Sequence, residues 1–576
     1  MDTVVAAPTA SDDYAADIAA FGAYWRGAPD KQAARDARYA FLRRHARTLY
    51  NRLTGGRRKF VRVERLVYDA AAAVPGLAPT KAEVDAESEL KQTDKQGVEI
   101  DQGILCNQFL ADPECGRHLC HAMLLPREES AEALARFRRD GTLDLGTAKV
   151  ERHGKAAVLL LSNKRFLNSE DNATQIATEI GADVCILDPD SQVAVLRGDI
   201  VPEGKYAGRR VFNAGINLTH LYYGKIPFLW FLIRDLGFVN KMFRGLARPE
   251  VPPDEVSGDS IEKLWISAVE TFAIGGGCQI LLATDFNIAA RDAYMTLPAR
   301  KEGIIPAMSN LRLARFVGDR IARQAIMYER RIDCDSDIGR MICDEVVAPE
   351  EIDATIEQVI DRLTGSGAVG AIGNRRALRL AAEPFDLFRQ YAALYAREQA
   401  QCHFSPALIS NLELFWNAQN RKAEAPAIRS ARLGSASSSF AELSRTMRPR
   451  LSTTPRLAMP SARPARCSLS RMAVPSAANA VSRASRSATT NGARPSVGSS
   501  SNRRRGRSIR ARASASICCW PPDSSQARAS GRWASTGNSD SISSTRCRRS
   551  TAGRPDEASR FSRTVRPAKS RRRSGT

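Results

Sequence analysis

The sequence predicts an α/β protein in which short strands, covered on both faces, form a core between helical segments. Three observations predict it. From Ala156 to Val269 the apolar residues come in short continuous runs: AAVLLLS (156–162), DVCILD (183–188), QVAVLRG (192–198), RRVFNAG (209–215) and LWISAV (264–269). Continuous rather than alternating apolar character marks strands buried on both faces. Stretches such as ATQIATEIGA between them carry helical spacing, the alternation expected of a layered α/β core. On either side of this region apolar residues recur every three or four positions, the period of amphipathic helices.

Taken in order, residues 1–152 read as a helical N-terminal domain, with Leu42, His45 and Leu49, then Leu105, Phe109 and Leu110, on helical faces. The opening MDTVVAAPTASDDYAADIAAF lacks a basic start followed by an apolar stretch, which argues against a secretory leader. Within CNQFLADPECGRHLCHAM, Cys106, Cys115 and Cys120 lie near His118 and His121. Their spacing lacks the two close ligand pairs of a zinc site, so buried thiols on helices are expected and no metal. Residues 153–310 form the α/β core, and residues 311–422 return to helical periodicity, as expected of helices that cap the core or link subunits. No run of 18 apolar residues occurs, so no membrane-spanning helix is expected. The 12 cysteines form no dense framework, which suits reduced thiols and a cytoplasmic location.

The charge is unevenly placed. Of 85 Lys and Arg residues 31 follow position 422, against only 6 of 63 Asp and Glu, so the first 422 residues are near neutral despite a net charge of +22. Residues 423–576 are rich in Arg, Ser, Ala and Pro without sustained apolar periodicity. Such a segment cannot bury enough surface to offset its ordering entropy, and a disordered basic tail is expected. One reading is an arm that binds nucleic acid through phosphate contacts. The better reading is a non-native or functionless frame, as a frameshift near codon 423 of GC-rich DNA would encode. The tail has Lys569 as its single lysine and no aromatic or RGG repeat.

Chemistry is suggested first by Gly275-Gly276-Gly277, placed between a strand candidate and a helix start. Glycine there lets the backbone approach a ligand, and amides at a helix start point outward as donors. Glycine-rich turns also serve ordinary close packing, so the run needs company. It has some in Phe212-Asn-Ala-Gly-Ile-Asn-Leu218, where the residue after Gly215 offers a second amide. Two converging amides make an oxyanion hole, which suits a thioester carbonyl that gains charge on α-proton loss.

The order AVLLLSNKRFLN, VFNAGINL, AIGGGCQ and LPARKEGIIPAM resembles the crotonase (enoyl-CoA hydratase/isomerase) superfamily over about residues 155–320. The resemblance implies a crotonase-like β/α core, a homotrimer or dimer of trimers, oxyanion donors at the amides of Ile216 and Gly276, and a coenzyme A moiety near Lys164 and Arg165. Hydratases of the superfamily carry two glutamates where this chain has Gln279 and Ala299. Neither replacement shuttles a proton as a carboxylate does, so ordinary hydration is not expected.

Within the superfamily, GRHLCHAMLLP, RFLNSEDN, AGINLTHL, FLIRDLG and GGGCQ are similar to the dioxygenases that act on 3,5-dihydroxyphenylacetyl-CoA. That resemblance implies an aryl-acetyl thioester and O2 as substrates, no metal or organic cofactor, and a place in making the dihydroxyphenylglycine unit of glycopeptide antibiotics. It also implies that Glu170, Arg234 and Gln279 hydrogen-bond the ring hydroxyls and that Ile304 borders an oxygen pocket. Duller readings stand beside these: Glu170 as a helix cap, Arg234 as a surface ion-pair partner, Gln279 as a backbone contact. Rival activities are thioester hydrolysis or decarboxylation in the same hole, or nucleic-acid binding through the tail. The sequence identifies no proton acceptor.

Overall fold

A computed structural model describes residues 14–26 and 28–421, so the expectations for the tail lie outside the described residues. These residues belong to one unit within Met1–Met447. Seven strands pair in the order Thr142–Asp144, Ala148–His153, Ala156–Leu161, Val193–Gly198, Leu264–Val269, Phe286–Ala290 and Glu345–Val347. The first two pairings are antiparallel and the other four parallel. Ala156–Leu161 and Leu264–Val269 are buried along their whole length, the reason their sequences show no alternation. In register, Val158 lies beside Val195 and Val195 beside Ile266.

A second, three-stranded sheet joins Phe272–Ile274, Tyr294–Thr296 and Ile332–Asp333. Single bridges pair Glu170 with Ile216 and Asn213 with Ala273, which lays the chain around Gly215 against the end of Phe272–Ile274. Here the two amide-bearing segments meet.

Several expectations need correction. DVCILD is the end of the helix Asn172–Leu187, not a strand. That helix is buried nearly all round, and a short apolar run does not distinguish a buried strand from a buried helical turn. RRVFNAG forms only single bridges, Arg210 with Ile200 and Asn213 with Ala273 of the three-stranded sheet, and is a strand of neither sheet. The sheet begins at Thr142, before the expected boundary at 153, and its last strand, Glu345–Val347, lies inside the region expected to be helical. Strands of three residues are too short for a period to show.

Nor do the terminal helices form separate domains. One apolar core lies around the seven-stranded sheet, while a second combines Leu42, Leu49, Leu105 and Phe109 with Phe228, Phe231, Phe388 and Ala396. The helices Glu99–Ala111 and Phe385–His403 approach so closely that a Cβ on Gly103 would sit 2.4 Å from the Ala400 Cβ.

Candidate active site

The helix Phe228–Leu236 is apolar on almost every side, yet it carries Arg234, only 3% exposed. A guanidinium so buried requires partners for its donors. Arg234 Nε donates to Glu170 Oε2 at 2.5 Å and Nη2 to Glu170 Oε1 at 2.8 Å, a bidentate pair. Its Nη1 donates to Asp235 Oδ1 at 2.7 Å and Gln279 Oε1 at 2.8 Å, and Nη2 reaches the Gly276 carbonyl at 3.0 Å. Burial opposes the Arg234 charge, but the Glu170 and Asp235 carboxylates outweigh it and hold its pKa above the usual value. The helix cap is Asp171, which accepts from the Ala173 amide, leaving Glu170 to Arg234 and to Asn213 Nδ2 at 3.2 Å. Gln279 likewise binds Arg234 rather than the helix start.

Gly215 and Gly275 both have positive φ, at 79° and 51°, where side chains are strained. A Cβ on Gly215 would lie 2.9 Å from the Ile274 carbonyl oxygen and 3.4 Å from the Gly276 amide nitrogen. A Cβ on Gly276 would lie 2.3 Å from Glu170 Oε1. The glycines therefore bring two backbone segments and a carboxylate into a space no side chain would permit. Among the described residues, neither the Ile216 nor the Gly276 amide donates to a backbone acceptor. Asn213 Oδ1 accepts from the Gly215 amide at 2.6 Å, fixing the turn before Ile216.

These groups line one cleft. Glu170, Ile216, Arg234, Gly276, Gln279 and Ile304 all border it, with Trp230, Phe231 and Leu297 supplying apolar wall. Lys164 and Arg165 do not. Lys164 pairs with Asp199 at 2.8 Å, and Arg165 lines a larger neighbouring cavity with Phe166, Leu218, Phe415 and Trp416. The two spaces share Ile216 and Glu302.

Glu302 escaped the sequence reading, which stopped at Ala299 where hydratases have a glutamate. The four-residue helix Ala299–Glu302 turns the later carboxylate inward, to 7% exposure. Burial, aided by the nearby Glu329 charge, pushes its pKa up to about 7. Tyr395, from the helix Phe385–His403, also borders the cleft.

Among the described residues no group of three or more His, Cys, Asp or Glu is placed to hold a metal ion. Cys106, Cys115 and Cys120 are buried free thiols. His118 shares a 2.8 Å hydrogen bond with the Tyr50 hydroxyl, and His121 one of 3.0 Å with the Arg248 carbonyl.

A family model described as enoyl-CoA hydratase/isomerase matches residues 254–381, which include Gly276 and Gln279. A (3,5-dihydroxyphenyl)acetyl-CoA 1,2-dioxygenase from Amycolatopsis orientalis is 45% identical over 367 residues, 64% of this chain and 83% of that protein. A short-chain-enoyl-CoA hydratase from Clostridium acetobutylicum is 28% identical over 240 residues, 41% of this chain and 82% of that one. A solved enoyl-CoA hydratase from Mycobacterium avium subsp. paratuberculosis K-10 has a TM-score of 0.38 and 18% identity, covering 46% of this chain and 97% of that one. By its identity to the Amycolatopsis protein over most of that protein's length, the chain belongs to the (3,5-dihydroxyphenyl)acetyl-CoA 1,2-dioxygenase family of the crotonase superfamily.

Proposed function

We propose that the chain converts 3,5-dihydroxyphenylacetyl-CoA and O2 to 3,5-dihydroxyphenylglyoxylate and coenzyme A without metal or organic cofactor. The observation that carries this reading is the juxtaposition, in one cleft, of the Glu170–Arg234–Gln279 cluster and the amides of Ile216 and Gly276. The amides receive the thioester oxygen, whose negative charge grows as the α-proton leaves. The polar cluster receives the ring hydroxyls and fixes the ring plane against that oxygen.

Loss of the α-proton yields a carbanion delocalised over thioester and electron-rich ring, and it reduces O2 by one electron. The resulting superoxide and substrate radical combine at the α-carbon. The peroxide attacks the thioester carbonyl and expels coenzyme A as thiolate. Loss of the remaining α-hydrogen with O–O cleavage then gives the arylglyoxylate, and both oxygen atoms stay in the product. Trp230, Phe231, Leu297 and Ile304 give the cleft a dry wall that suits O2 and excludes water from the intermediates. Lys164 and Arg165, on the turn beside the larger cavity, suit the phosphates of coenzyme A. A homotrimer or dimer of trimers, a cytoplasmic location and a role in dihydroxyphenylglycine biosynthesis complete the reading, on the family resemblance.

The test is O2 uptake by the purified protein with 3,5-dihydroxyphenylacetyl-CoA and EDTA, with thiol release and product mass followed together. One O2 consumed per thiol released, with arylglyoxylate formed, is expected. Thiol release without O2 use would mean hydrolysis in the same hole.

A further inference from the structure

The reaction begins with a proton leaving the α-carbon, and three carboxylates border the cleft: Glu170, Asp235 and Glu302. Two are engaged. Both Glu170 oxygens accept from Arg234, and Asp235 accepts from Arg234. Glu302 has no ion-pair partner among the described residues. The neighbouring Arg300 and Lys301 turn instead to Glu329, at 3.2 and 2.6 Å.

Its position is also distinctive. Glu302 lines both the ring cleft and the larger cavity, and so stands where a thioester joining an aryl group to coenzyme A must cross. Its carboxylate oxygens lie 3.8 and 4.0 Å from where a Cβ on Gly275 would be, one residue before the Gly276 amide. An α-carbon bonded to a carbonyl held at that amide is within reach of the same carboxylate.

We propose that Glu302 is the catalytic base that removes the α-proton of the bound thioester, an assignment that rests on the dioxygenase reading above. The Cα–H bond breaks, its electron pair passes into the thioester enolate held by Ile216 and Gly276, and the proton goes to a Glu302 oxygen. The environment supplies the needed base strength. Burial first, then the Glu329 charge, brings the carboxyl to about 7, near the optimum for a base working at neutral pH. Facing it from other elements are the mutually paired Arg234, Glu170 and Asp235, with Tyr395 beyond them. On the cavity side are Arg165, Arg421, Tyr206 and Tyr294.

The experiment follows α-hydrogen exchange of 3,5-dihydroxyphenylacetyl-CoA in D2O under anaerobic conditions, by mass and NMR, for the full chain, Glu302→Gln and Glu302→Asp. Aerobic O2 uptake and substrate binding are measured beside it. Wild type is expected to exchange with a rate rising through about pH 7. Glu302→Gln is expected to bind substrate but lose at least ~100-fold in both exchange and turnover, with no such limb. If Glu302→Gln does not fold, Glu302→Asp carries the test: slower exchange that keeps its pH dependence supports the assignment, and pH-independent exchange overturns it. Exchange by Glu302→Gln at the wild-type rate, while wild type consumes O2, overturns the base and leaves the dioxygenase reading standing. Wild type that neither exchanges nor consumes O2 overturns both.

Discussion

At the scale of single residues the site depends on what is missing as much as on what is present. Gly276 has no Cβ, and the space one would take is held by Glu170. Gly276→Ala is therefore expected to push Glu170 off Arg234 and turn the amide away, lowering kcat by ~10²–10³, the usual cost of one oxyanion donor. Steady-state O2 uptake checks this, and a kcat near wild type would show that the crowding is relieved elsewhere. Glu302 adds a signature in stability. Its folded pKa of about 7 lies above the ordinary carboxylate value, so between the two the folded state binds more protons and stability falls as pH rises. Glu302→Gln removes that cost and is expected to gain on the order of 3 kcal/mol relative to wild type at pH 8, but nothing at pH 4. Thermal melts at both pH values decide it. The first of these residues was legible and the second was not. A glycine run leaves a mark in any sequence, whereas a glutamate between a lysine and a glycine looks like a solvated helix end until the turn of Ala299–Glu302 is known.

At the scale of elements, buried charge ties helices together. Glu383, fully buried after the helix Ala368–Ala382, accepts from Arg244 of Phe238–Arg244 at 2.9 Å and from Arg312 and Arg315 of Ser309–Tyr328 at 2.9 and 3.0 Å. Burial alone would raise the Glu383 pKa, yet Arg312, with Arg244 and Arg315, holds it at about 2. A depressed carboxylate stabilises the fold above its unfolded value of about 4.3 and loses that contribution as pH falls toward the folded value. Glu383→Gln leaves Arg312 and Arg315 without a carboxylate and Arg244 with Glu255 alone, at an expected cost of ~3–5 kcal/mol at pH 7. The deficit should shrink between pH 4 and pH 2, where wild type also loses the charge. Denaturant unfolding across that range reads the effect, and a constant deficit would assign it to packing. Pairings of this kind leave no periodic trace, because residues 244, 312 and 383 are far apart in sequence. The fully buried strands were legible because their apolar runs are continuous. DVCILD misled for the same reason, since the helix Asn172–Leu187 is also buried nearly all round.

At the scale of the molecule, helices that precede and follow the sheet strands in sequence support one site. The sheet and its glycine turns hold the oxyanion amides, but Arg234 stands on a helix in the second core, and Tyr395 comes from Phe385–His403, packed against Glu99–Ala111. The ring end of the cleft thus depends on helices more than 270 residues apart in sequence, and a division into N-terminal, core and C-terminal parts does not describe how it is built. A chain ending at residue 384 would keep the whole seven-stranded sheet but lose Phe388, Ala392, Tyr395 and Ala396 from the second core. The helix Glu99–Ala111 would then expose a face matched to Ala400, and the cleft would lose its Tyr395 wall. Apolar surface of that extent is not offset by the remaining contacts. The shortened chain is expected to bind a hydrophobic dye, unfold without a single cooperative transition and show no O2 uptake. A cooperative melt like that of the full chain would instead mean that the sheet-centred core holds the cleft without help from the C-terminal helices.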